Sequence, residues 1–155
     1  MIEMIDKHAG GIDLPYIDYK GRYLVGAREY DGLVFISGNA CEDPMDGHPV
    51  WTGAIGAEVS AEEGYKAAQY CGLLHLGFIR DHYGLDRVES IVRAYCLICV
   101  ADDFYDLDGV FDGYSDLMYA ALRERGRHVR TLMGTRHLPN HHVSIEVETI
   151  CKLRP

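Results

Sequence analysis

The chain has 155 residues, 48% hydrophobic and 25% charged, a globular mix that excludes a disordered or fibrous protein. Its 24 acidic against 15 basic side chains leave a formal charge of -9. The bases are scattered, so a nucleic-acid phosphate backbone is excluded as the expected partner.

This length suits one domain, residues 1–155, with a core large enough to need no staples. Five cysteines, Cys41, Cys71, Cys96, Cys99 and Cys151, are an odd count for a disulfide framework and fit a reducing, cytoplasmic setting. The first residues lack a basic start followed by an apolar stretch, and no apolar run approaches the ~20 residues that cross a bilayer, so neither a signal peptide nor a membrane partner is expected.

In chain order, residues 1–22 read as an irregular lead-in broken by Gly10-Gly11 and Pro15. Strands are predicted at Tyr23–Ala27 and Leu33–Ser37, with Asp31-Gly32 as a hairpin signal between them. Gly38 to Gly56 is polar and reads as a long loop. Ser60-Ala61-Glu62-Glu63 has the form of a capping box, the serine oxygen taking an orphan N–H while the glutamate reaches back. Tyr65, Ala68, Gly72, Leu76 and Ile79 then keep a helical stride that ends near Gly84.

Val88 to Val100 is apolar and β-branched, a strand. A second helix is predicted over Gly113 to Arg125, stopping at Gly126, and the last strand is Val143 to Leu153. The order is β-β-α-β-α-β, an α+β class, and the spacing leaves room for a short strand before the last. Two helices cover only one face of such a sheet. Yet Val92, Ala94, Cys96, Ile98 and Val100 alternate to one side and Ile91, Tyr95, Leu97 and Cys99 to the other. An apolar face left open implies a second copy covering it.

Candidate chemistry is sparse. Cys96 and Cys99 have CxxC spacing, but residues three apart on a strand point to opposite faces, so their sulfurs do not converge. His137, His141 and His142 cluster around Leu138-Pro139-Asn140 without a carboxylate or thiolate at metal spacing, so no metal is expected. Asp106-Leu107-Asp108-Gly109 lacks the closing glutamate of a calcium loop and reads as acidic residues ahead of a helix. Arg130 follows a glycine-ended helix, and Glu146 sits inside the last strand between Ile145 and Val147. A carboxylate there needs water or a partner; spacing alone leaves an ion pair, a solvated face or a site open.

From about Tyr23 onward the chain resembles the YjgF/Rid family of enamine/imine deaminases. The resemblance is carried by Gly32-Leu33-Val34-Phe35-Ile36-Ser37-Gly38, Leu85-Asp86-Arg87-Val88, Asp103-Phe104, Arg130-Thr131, Leu138-Pro139 and Ile145-Glu146-Val147-Glu148. Asp112-Gly113-Tyr114-Ser115-Asp116-Leu117 with Gly126-Arg127-His128 is similar to the longer branches. The loop Asn140-His141-His142 is similar to that of 2-aminomuconate deaminases.

The resemblance implies a chorismate-mutase-like fold: a mixed sheet with two helices on one face, in a homotrimer with sites between subunits. It implies that Arg130 clamps a substrate carboxylate, that Glu146 handles water and proton, and that Tyr23 and Ser37 line the pocket. Asn39 stands where glutamine is common, and Leu132 narrows or dries the pocket. No cofactor is implied. The expected partner is a small carboxylate-bearing enamine or imine, like 2-aminoacrylate or 2-aminomuconate, hydrolysed to a carbonyl compound and ammonia. A non-catalytic protein binding such a metabolite through Arg130 is the competing expectation. Ribonuclease activity is disfavoured by the charge and the lack of a basic, aromatic groove.

Overall fold

A computed structural model describes residues 25–44 and 46–155. Strands β1 (Ala27–Tyr30) and β2 (Leu33–Ala40) form the expected hairpin, but β1 lies closer to the turn than the sequence suggests. Asp31 and Gly32, with φ of 51° and 74°, are the whole connection. Two consecutive left-handed residues match the twist of the strands, so pairing runs right up to Tyr30 and Leu33. The residues before Val25, including Tyr23, lie outside those described.

Helix α1 (Ala61–His82) opens with the predicted box: Ser60 Oγ accepts from Glu63 N, and the Glu63 carboxylate accepts from Ser60 N at 2.9 Å. Strand β3 (Val88–Cys99) follows, then helix α2 (Leu107–Leu122), strand β4 (Val129–Thr135) and strand β5 (Ile145–Leu153). Helix α2 begins six residues before the sequence-based expectation. Asp106 is its N-cap, accepting from Gly109 N at 3.0 Å, and Gly109 and Gly113 lie inside the helix. Gly113 is there for space: an added Cβ would strike the Tyr65 backbone. At Gly72 a Cβ would come within 2.7 Å of Leu117, so these two glycines let α1 and α2 cross closely.

The sheet order is β1-β2-β5-β3-β4, antiparallel except for β3 with β4. Both helices cover one face, α1 against β2 and β5, α2 against α1 and β4. Beneath them Val34, Ile36, Ala94, Cys96, Ile98, Val147 and Cys151 form the core. A bulge between Ile91 and Arg93 reverses one expectation: Ile91 is buried, whereas Val92 is exposed. The other face carries Phe35, Leu97, Met133 and Ile150, and Phe35 and Met133 are exposed.

Candidate functional site

Glu146 lies on β5 opposite Leu97 of β3, on the face the helices leave open. Its side chain crosses Gly38, where an added Cβ would stand 3.2 Å from Glu146 Cδ. The β2 ladder shifts register between Ile36 and Asn39, and this irregularity brings Gly38 against the Glu146 side chain while Asn39 pairs with Val147. Ser37 Oγ donates to Val25 O at 2.8 Å and Asn39 Nδ2 donates to Ser37 O at 2.7 Å, so these side chains brace the bend. Glu146 is half-buried. Burial, then the nearby Glu42 and Glu148 charges, push its carboxyl above the usual range. Asn140 Nδ2 in turn donates to Glu42 and, at 2.8 Å, to Gly47 O.

Arg130 lies on the edge strand β4, opposite Ala94. Nη1 donates to Asp112 Oδ1 at 2.8 Å and to Ser115 Oγ at 3.2 Å, while Nη2 donates to Asp108 Oδ1 at 2.7 Å. The guanidinium carbon stands 5.9 Å from the centre of the Phe111 ring. Behind Ser115, His128 Nδ1 meets Gly126 O at 2.8 Å. A carbonyl only accepts, so Nδ1 carries the proton and Nε2 accepts from Ser115 Oγ at 3.3 Å. Burial lowers the His128 pKa and favours that neutral ring.

The two candidate groups occupy opposite faces. The row Arg130–Ala94–Thr149 lies under the helices, with Ala94 and Thr149 fully buried, whereas the row Met133–Leu97–Glu146 lies on the open face. Within one chain, then, Arg130 and Glu146 share no hollow. Leu132, half-buried opposite Cys96, goes with Arg130, and Asn39, paired with Val147 opposite the same Cys96, falls in that row too; Gly38 lies against Glu146 on the open face. Further along the Arg130–Leu132 row, beside Gly134, an open hollow of about 380 Å³ lies between Val100, Phe104 and Leu107.

Sequence reasoning missed Asp108 and Asp112 as partners of Arg130. Their i, i+4 spacing was the available signal, hidden because α2 was expected to begin only at Gly113. The two CxxC thiols are both buried but separate as expected: Cys96 lies beneath the helices, whereas Cys99 Sγ meets Arg136 O at 3.3 Å and His142 Nε2 at 3.6 Å. His142 ends a one-turn segment, Pro139–His142, in which Asn140, His141 and His142 all have positive φ. Among the described residues no group of three His, Cys, Asp or Glu side chains has metal-binding geometry, and no helix is long and apolar enough to cross a membrane.

No protein-family model matches the chain. It is 32% identical over 104 residues to Protein TCP17 of Trypanosoma cruzi, across 66% of this chain and 64% of that protein's length. Among solved structures, Atu1372 of Agrobacterium tumefaciens, a protein of unknown function, superposes with a TM-score of 0.84 at 24% identity, covering 99% of this chain and 94% of that one. RidA from the Antarctic bacterium Psychrobacter sp. gives 0.61 at 15% identity, covering 92% and 97%. The chain thus has the mixed α+β fold of the YjgF/Rid proteins.

Proposed function

We propose that the protein is an enamine/imine deaminase of the YjgF/Rid type, needing no cofactor and acting as a homotrimer of chorismate-mutase-like subunits. The observation that carries this reading is the half-buried Glu146 carboxyl, held over Gly38 and pushed up in pKa on the sheet face that both helices leave open. Because Arg130 and Glu146 face opposite ways, the site is composite: Glu146 comes from one copy and Arg130, on an edge strand, from the next.

The chemistry asks for little beyond positioning and one acid/base group. An enamine tautomerises to its imine, which takes a proton from solvent at nitrogen to give the iminium. Glu146 takes a proton from water as the oxygen bonds to the C=N carbon, then gives that proton to nitrogen. The C–N bond breaks toward nitrogen, and the iminium plus water become a carbonyl compound plus ammonium. With 2-aminoacrylate the products are pyruvate and ammonia. A raised pKa suits a carboxyl that must both accept and return a proton near neutrality.

The test is ammonia release from 2-aminoacrylate and 2-aminomuconate by the wild-type protein and by Glu146→Gln. Release that depends on Glu146 supports the reading; no release from either substrate overturns it. One observation favours the competing reading of a carboxylate-binding protein without turnover: Arg130 is already paired with Asp108 and Asp112. Binding without ammonia release selects that alternative.

A further inference from the structure

The arginine expected to take a substrate carboxylate already holds carboxylates of its own chain, and its two ends are held differently. Nη1 has two partners, Asp112 and Ser115, and Ser115 is fixed in turn by the neutral His128 ring. Nη2 has, among the described residues, Asp108 alone. The Asp108 side chain is 77% exposed, against 51% for Asp112 and 27% for Arg130. An exposed carboxylate is rehydrated at little cost when it leaves its partner, whereas Asp112 and Ser115 stay tied to a face packed on β4. Together the two aspartates leave this end of the site with a net negative charge, which opposes an incoming anion until one of them moves.

We propose that Asp108 is an internal competitor for the substrate carboxylate: the ligand displaces it from Arg130 Nη2 while Asp112, Ser115 and His128 hold the guanidinium in place. The device rests on the reading of Arg130 as the carboxylate site. It makes Asp108 a selectivity residue, favouring ligands whose carboxylate forms a two-point contact with the freed guanidinium edge over weaker, singly held anions.

The experiment is calorimetric titration of pyruvate, a non-reacting carboxylate, into the wild-type protein and the Asp108→Asn, Asp108→Ala and Asp112→Asn variants. Both Asp108 variants are expected to bind pyruvate about tenfold more tightly, and Asp112→Asn more weakly, because removing one charge relieves competition and removing the other releases the anchor. Where ammonia is released, the effect of Asp108→Asn falls mainly on KM, which drops, rather than on kcat, the pattern of binding gained equally in ground and transition states. Unchanged or weaker pyruvate binding in both Asp108 variants overturns the proposal. So does tightening that persists in Arg130→Ala/Asp108→Asn, since the effect would then not pass through the arginine. Titration reads this inference and ammonia release reads the deaminase reading, so either can fail alone.

Discussion

Arg130 and Glu146 project from opposite faces of one sheet, separated by β3: Arg130 stands opposite Ala94, under the helices, and Glu146 opposite Leu97, on the open side. Ala94 and Leu97 are three residues apart, an odd number, so their side chains must point opposite ways in a regular strand. A pocket using both groups must therefore draw them from different copies of the chain.

If Glu146 moves the proton, Glu146→Gln loses about 10²- to 10⁴-fold in kcat for ammonia release. The same change should not cost stability. A carboxyl with a raised folded-state pKa contributes stability below its ordinary pKa and loses it as pH rises through the raised value. At neutral pH the glutamine variant is then as stable as wild type or slightly more so, measured by urea denaturation. A loss above about 1 kcal/mol would contradict this account.

Gly38→Ala probes the same carboxyl from beneath. The added methyl meets Glu146 Cδ at 3.2 Å and Cγ at 3.3 Å, and the carboxylate oxygen more closely still, so the side chain must shift. A displaced acid/base group predicts a fall of about tenfold or more in kcat while the fold persists by circular dichroism. Wild-type kcat in this variant would remove Glu146 from the reaction.

His75 gives the fold its own pH dependence. It is fully buried, with Nδ1 at 3.0 Å from Thr149 Oγ1 and 3.2 Å from Tyr114 Oη, and Nε2 has no partner among the described residues. Burial holds its pKa down at about 4. The unfolded chain binds a proton near the ordinary value of 6.5, so stability is complete above that pH and falls as pH drops toward 4. The loss amounts to about 3 kcal/mol at about 1.4 kcal/mol per pKa unit. Urea midpoints between pH 7 and pH 4 measure it. Phe111 stacks on Tyr114 at 5.0 Å, so His75→Phe would extend an aromatic cluster and should flatten the profile.

The open face predicts the assembly. Phe35 and Met133 are exposed there at 43% and 49%, so a lysine at either position meets water in a lone subunit but a neighbour in an oligomer. Phe35→Lys and Met133→Lys are each expected to lower the solution mass, measured by light scattering, and to abolish ammonia release with helix content unchanged. Retention of wild-type mass in both variants would show that this face is not the seam.

Much of the architecture was legible because its signals are local. The capping box at Ser60–Glu63, the Asp31-Gly32 turn and the apolar alternation in β3 each depend on residues within a few positions of one another. The errors were local too. The bulge near Val92 and the early start of α2 both arise where a ladder irregularity or a helix crossing decides against the pattern, as Gly113 does by giving Tyr65 room.

The site divides along the same line. The sequence by itself singled out Arg130 and Glu146 and required something to cover the second apolar face, and its resemblance to the YjgF/Rid family added Ser37 and Asn39. Only the tertiary structure decided that the arginine and the glutamate part company across the sheet and that Asp108 and Asp112 meet the guanidinium. Which side a strand residue faces depends on register and bulges set by its neighbours, and which helix turn reaches a strand depends on packing between elements far apart in the chain.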